Sequence, residues 1–422
     1  MTNTWYSTKY IATIFLIWLL ACSTGTPPVP EITIDELQQH IEFLSSDELG
    51  GRYPGTEGDR LAAEYILGQF TRSGLTPEAD GGFQYFSVTT SIPDQGEETV
   101  TMNVVASMKG NDPGLKNEYI VIGAHYDHLG KGGERTGSRE PGSLVVHPGA
   151  DDNASGVAAM IEIAEKLASE RENVRRSFIF AAFGAEEKGL LGSSWFTNNS
   201  VVELESIKAM INLDMVGRKN EDGVVQIGGV GSSSEGEEIV TGLAAGHGFN
   251  TRLMQAGIGP SDHASFYIND IPVFFVTTGP HPEYHTPADT AGLINYEGLQ
   301  RIAYFVTDLA LELGNRDQHL TFTTSGPGVS AREGHGGREV SLGIMPDFAA
   351  VVSGGLRADY VTPERPADLG GMKQGDIIVA INGKAVNDIH DYMDRLNQLS
   401  IGDIINVEVL RGDKREILII QL

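Results

Sequence analysis

The sequence predicts an α/β fold, a mostly parallel sheet sandwiched by helices, followed by a small β-rich domain. Three observations lead there. Residues 119–124, 178–183, 209–213 and 271–277 are short and almost wholly apolar, as central strands covered on both faces should be. Between the first two, Ala154, Val157, Ala158, Ile161, Ala164 and Leu167 recur at helical spacing, and strand, helix, strand in that order implies parallel pairing. From about residue 337 the pattern changes to short strands and glycine turns, with one helix near 388–399.

Taken in order, the chain begins with Lys9, the apolar run 11–20 and then Leu19-Leu20-Ala21-Cys22, which fits the charged and hydrophobic regions of an export signal. The run is too short to span a bilayer as a mature helix. Its end resembles the lipobox of bacterial lipoproteins. That resemblance implies a signal over 1–22, lipid on Cys22 as the link to a membrane, and residence at the bacterial cell envelope, on the outer membrane or its periplasmic side. Cys22 is the only cysteine, so an internal disulfide and a cysteine-based zinc site are both excluded. A Pro-rich tether, 23–32, leads to a helix over 33–49 with Ile34, Leu37, Ile41 and Leu44 on one face, and a second follows over 56–72. Asp152 or Asn153 is placed to cap the helix after the first apolar strand. A helix from Tyr296 closes the unit 33–314, residues 315–336 read as a Gly/Ser/Thr-rich linker, and 337–422 form the small domain.

At 422 residues and 40% hydrophobic, the chain can bury the cores of two folded units. A formal net charge of −27 excludes a nucleic-acid binder, which needs a basic face to neutralise phosphates.

Four polar clusters follow the four apolar strands: GAHYDHLG around His125, GAEEKG around Glu186 and Glu187, NLDMVG around Asp214, and EYHTPADT around His285. A fifth, GADDNASG around Asp151 and Asp152, opens the helix after the first strand. Ligands of open α/β sheets bind outside the carboxyl ends of the strands, so the clusters should converge. They supply imidazoles and carboxylates without thiolate, a set suited to hydrolytic zinc.

Over residues 35–314, with the five motifs in order, the sequence resembles the co-catalytic zinc aminopeptidases of peptidase family M28, whose relatives include glutamate carboxypeptidase and glutaminyl cyclase. The resemblance implies a zinc-exopeptidase (phosphorylase/hydrolase-like) fold and two Zn2+ ions. It assigns His125 and Asp214 to one ion, Glu187 and His285 to the other, and Asp151 as the bridge, which leaves an open position for a shared water. It makes Asp127 the partner of the His125 imidazole, joins Asp152 to the bridging residue through a cis peptide, and casts Glu186 as the general base and later proton donor. Tyr284 resembles a donor to the tetrahedral intermediate. Asp262 and His263 in SDHASF read as supports, and the GRYPGTEGD stretch, 51–59, as positional turn chemistry. His128, His147, His247 and His281 have no assigned partner and read as surface or loop residues.

The tail resembles a bacterial PDZ domain, on SLGIMPDF and GGMKQGDIIVAINGKAV. That implies capture of an extended peptide, a C-terminal one or a partner protein, at a sheet edge. The expected activity is removal of N-terminal residues from peptides. A carboxypeptidase of the same family is the alternative, kept open by Arg135 and Arg139, and a non-catalytic envelope peptide-binding protein is the other. A glutaminyl cyclase fits less well, because those relatives work with one zinc.

Overall fold

In the computed structural model the described residues are Met1, 30–89, 98–133, 136–140, 142–218, 223–325, 340–346, 354–361, 365–387, 389–396, 398–412 and 414–422. Residues 2–29, with nearly all of the export signal and the lipobox Cys22, lie outside them, as do Arg135 and the second half of the expected linker, 326–336. Among the described residues no helix is long and apolar enough to cross a membrane.

The first domain is built on nine strands: β1 (Thr76–Pro77), β2 (Phe83–Thr89), β3 (Glu98–Met108), β4 (Tyr119–His125), β5 (Ser177–Phe183), β6 (Ile207–Leu213), β7 (Val224–Gly228), β8 (Asn250–Leu253) and β9 (Val273–Thr277). They form one sheet in the order β1-β3-β5-β4-β6-β9-β7-β8, with β2 paired to β3. The middle four, β5, β4, β6 and β9, are the apolar runs of the sequence, and all pair in parallel. The flanks do not. β3 is antiparallel to β5 and β7 to β9, and the polar residues set among their apolar ones, Thr101, Asn103 and Ser107 in β3 and Gln226 in β7, are what hid them from an apolar-run reading.

Among the described residues seven α-helices accompany the sheet: α1 (Ile34–Leu44), α2 (Glu57–Arg72), α3 (Gly156–Ser169), α4 (Leu191–Asn198), α5 (Gly236–His247), α6 (His263–Tyr267) and α7 (Tyr296–Asn315). Thr33 and Thr56 cap α1 and α2 through their hydroxyls. Successive strand residues point to opposite faces. Ile120, Ile122, Phe178 and Phe180 join the core beneath α1, α2, α3 and α7, whereas Val121, Ile179 and Phe183 join Phe196 of α4 and Phe266 of α6 on the other side. Among the described residues both faces of the central strands are thereby covered by packed side chains, and the polar motifs that follow β4, β5 and β6 lie at the strands' carboxyl ends.

The chain past α7 is not free linker at its start. Leu320 is buried in the larger core, Phe322 bridges Ser233 and packs on Tyr267, and Ser325 Oγ donates to Gln255 O. The expected linker is therefore shorter than 315–336, because its first residues carry apolar side chains that the domain can bury.

The second domain has β10 (Ile344–Pro346), β11 (Leu356–Val361), α8 (Pro366–Leu369), β12 (Ile377–Ile381), β13 (Lys384–Ala385), α9 (Ile389–Leu396), β14 (Ile404–Arg411) and β15 (Lys414–Gln421). It has its own core, with Leu356, Ile378, Tyr392, Val407 and Ile420 among its buried residues. β12 turns into β13 through Asn382 and Gly383, both at positive φ, the residue pair such a two-residue turn requires.

Candidate active site

Because β5, β4, β6 and β9 are parallel neighbours, their carboxyl ends share one edge, and His125, Glu186, Glu187 and Asp214 arrive there directly from three of them. His285 comes from the loop after β9. Its φ is +58° and its Nδ1 faces Gly137 O at 3.0 Å, leaving Nε2 for the site.

Two buried clusters result. In one, His125, Asp152 and Asp214 approach: His125 Nε2 is 3.3 Å from Asp152 Oδ1 and 3.4 Å from Asp214 Oδ1. In the other, His285 Nε2 is 3.1 Å from Asp152 Oδ2 and 3.2 Å from Glu187 Oε2. One carboxylate, Asp152, thus reaches both clusters, one oxygen to each.

This corrects the assignment of Asp151 as the bridge. Asp151 points away: its Oδ1 accepts from Gly217 N at 2.6 Å and its Oδ2 faces His281 Nε2 at 3.4 Å. The cis peptide is correspondingly Asp152-Asn153, not the bond between the two aspartates. The turn is held from both sides. Asp289 accepts from Asp151 N and Asp152 N, while Asn153 Oδ1 accepts from Gly156 N, which starts α3, and from Met215 N beside Asp214.

Asp127 also differs in detail from its expected part. His125 Nδ1 faces the Asp127 main-chain oxygen at 3.3 Å and stands 3.7 Å from the carboxylate. That carboxylate accepts from Glu186 N at 2.9 Å and Glu187 N at 3.4 Å, so it orients both motifs together.

Glu186 and Glu187 are adjacent and both buried, yet their carboxyls are driven apart. Burial raises Glu186 well above the ordinary carboxylate value, and the Glu187, Asp262 and Asp214 charges push the same way against the pull of His125. Burial also opposes the charge on Glu187, but His285, with hydrogen bonds to His128 and His285, brings it down to about 2. A pair of carboxyls separated in this way suits one to ligand work and the other to proton transfer.

Tyr284 stacks on His285, ring centroids 3.8 Å apart. Asp262 is buried and its carboxyl is pushed up to about 7, chiefly by burial. His263 lies flat on Phe275 at 4.4 Å, and burial lowers it to about 3, which keeps it neutral.

Three residues escaped the sequence reading. Arg52, in the glycine-rich stretch, is buried and donates to Tyr126 O in the first motif, to Pro148 O and Gly149 O at the fifth, and to Leu44 O at the end of α1. Asp289 sits near the end of a motif whose histidine and tyrosine alone drew the sequence reading. His128 was read as a loop residue, yet it is wholly buried with Nδ1 2.9 Å from Glu187 Oε1. The spacing His125-x-Asp127-His128 was its one signal.

The donor set fits divalent metal. Both clusters are imidazole and carboxylate, Asp214 Oδ1 is buried without a hydrogen-bond partner, and the negative charge gathered there calls for cations.

Comparison with known proteins agrees with this architecture. Residues 103–310 match the model of peptidase family M28, and residues 329–422 match that of the PDZ domain. Aminopeptidase YwaD of Bacillus subtilis is 33% identical over 218 residues, which are 48% of this chain and 42% of that protein. Among solved structures, a Zn-dependent exopeptidase from Parabacteroides distasonis superposes with a TM-score of 0.56 at 20% identity, over 68% of this chain and 100% of the other. A glutaminyl cyclase from Porphyromonas gingivalis gives 0.54 at 20% identity, over 66% of this chain and 98% of the other. With its ordered strand-end motifs, mostly parallel sheet and second β domain, the chain carries a peptidase family M28 domain and a C-terminal PDZ domain.

Proposed function

We propose that this chain is a zinc-dependent exopeptidase, first of all an aminopeptidase, that hydrolyses the N-terminal peptide bond with two zinc ions. The observation that carries the reading is the placing of Asp152 between two buried imidazole–carboxylate clusters with a second, high-pKa carboxyl, Glu186, beside them. In this reading His125, Asp214 and Asp152 hold one ion, and His285, Glu187 and Asp152 the other. When bound, such a pair lowers the pKa of water and polarises a carbonyl. Glu186 takes the proton of the attacking water on its carboxylate and returns it to the leaving nitrogen. In this reading Tyr284, which stacks on His285 at the half-buried rim, donates its hydroxyl to the developing oxyanion. The similarity to an enzyme named an aminopeptidase favours the N-terminal reading.

Carboxypeptidase action is the second reading. Arg139 Nη1 reaches Pro282 O, in the loop that carries Tyr284 and His285, and an arginine there could hold a terminal carboxylate. The deciding test is hydrolysis of free-amine, N-blocked and C-blocked peptides, with chelator and with zinc, beside Glu186→Gln. Zinc-dependent cleavage confined to free-amine substrates supports the aminopeptidase. Cleavage of N-blocked peptides at a free C-terminus moves the reading to carboxypeptidase, and no zinc-dependent turnover removes both in favour of a peptide-binding protein.

We further propose that the PDZ domain captures substrate C-termini or a partner by strand addition, an idea that binding to none of a library of C-terminal peptides would sink. The envelope anchor is proposed on sequence alone. Detergent-phase partitioning lost in Cys22→Ala supports it, and partitioning unchanged in that variant overturns it.

A further inference from the structure

His128 is the residue whose surroundings the function above does not use. Its ring is fully buried, and Nδ1 lies 2.9 Å from Glu187 Oε1 and 3.8 Å from Asp152 Oδ2. One atom from each of these three residues falls within 4.8 Å of the other two. The ring meets that of His285 nearly edge to face, centroids 5.8 Å apart. Its position is fixed by packing: Gly149 holds φ +57°, and a Cβ there would sit 2.6 Å from His128 Cγ and Cδ2 and 2.2 Å from Asp152 O. His128 N donates to Arg52 O at 3.2 Å. Nδ1 therefore faces the Glu187 and Asp152 oxygens, while Nε2 is buried with no hydrogen-bond partner.

We infer that His128 is a fourth protein ligand of the Glu187 half of the centre, through Nδ1. The inference rests on the two-metal reading and deepens it. The two halves then differ in kind. His128, His285, Glu187 and Asp152 fill four positions, the complement of a closed tetrahedral site, whereas His125, Asp214 and Asp152 fill three and leave one open. The closed half retains its ion and fixes Asp152, and the open half admits water and substrate. A centre with two equivalent ions would lose them together on chelation. This one should lose them in sequence, the His125 ion first.

The test uses the full chain, stripped of metal and reloaded with Zn2+ or Co2+. Wild type should take two equivalents with separable affinities, and X-ray absorption at the zinc edge after one equivalent should show two imidazoles on that ion. In His128→Gln, whose amide keeps the hydrogen bond to Glu187, one of the two affinities should fall by more than about 100-fold, beyond the 10–100-fold expected from losing an outer partner. The tetrahedral Co2+ absorption of the first equivalent should go with it, and His128→Cys should restore both. One imidazole on the first ion in wild type, or His128→Gln with both affinities and the Co2+ spectrum unchanged, overturns the inference and leaves the two-metal reading standing. Wild type that binds fewer than two ions sinks that reading and the inference with it. The absorption measurement needs no variant, so a misfolded substitution cannot hide the answer.

Discussion

Replacing Arg52 by Met tests the claim that one buried cation aligns two metal-binding motifs. The guanidinium donates to four main-chain carbonyls, with Tyr126 O at 2.7 Å, Pro148 O at 2.7 Å and Gly149 O at 3.0 Å among them. Hydrogen bonds from a charged donor contribute about 1.5 kcal/mol or more each, so four amount to about 6 kcal/mol. Against this stands the cost of burying the charge. Burial brings the arginine down to about 10 from 12.5 despite the Asp152 and Asp127 carboxylates, about 3 kcal/mol at 1.36 kcal/mol per unit. The net loss on substitution is about 3 kcal/mol, and the peptidase domain should melt some 6–12 °C lower by calorimetry. Since Tyr126 lies between His125 and Asp127, and Gly149 precedes Asp151 and Asp152, zinc affinity by chelator competition should fall as well. Arg52→Lys should recover part of both. Unchanged melting together with unchanged affinity in Arg52→Met would refute the reasoning, since the carbonyls would then need no donor.

Three further outcomes are expected. Glu186→Gln should lower turnover by roughly 10²–10⁴-fold while retaining the wild-type metal content measured by elemental analysis; a loss of metal would mean that Glu186 is itself a ligand. Asp152→Asn should weaken binding of both ions and abolish activity, whereas Asp151→Asn should keep two ions per chain, and the opposite ranking would restore Asp151 as the bridge. Asp59 is buried and its carboxyl is raised, chiefly by burial, to about 7, against about 3.9 unfolded. The folded state therefore holds this proton more tightly, so its stabilising share is complete below about pH 4 and is lost as pH rises toward 7, by at most about 4 kcal/mol. Asp59→Asn, still able to accept from Gly55 N and Thr101 Oγ1, should flatten that part of a stability–pH curve; an unaltered curve would remove Asp59 as its source.

What the sequence made legible follows from how each feature is encoded. The central strands were visible because burial on both faces leaves a composition with almost no polar residue, and the strand-end motifs because a parallel sheet forces its chemistry to one edge. Asp151 and Asp152 could not be told apart, since neighbouring carboxylates of one type differ only in direction, and direction is set by a turn whose φ and ψ at Asp152 and Asn153 are non-helical. Arg52 was hidden by the glycines around it, which offered a sufficient local explanation. His128 and Asp289 act through contacts with residues 59 and 138 positions away, and no local pattern reports such pairings.

The stretch from Arg316 to Ser325 has a practical meaning for how the two domains could be parted. Leu320 and Phe322 are as much a portion of the catalytic body as any helix residue, and Tyr267 OH both accepts from Ser325 N and donates to Ser325 O. Severing the chain just after α7 would strip that strap and uncover apolar surface over Tyr267. Severing it beyond Ser325 would leave the first domain whole. A cut by a processing protease, or for gene fusion, spares these contacts only where it falls after Ser325.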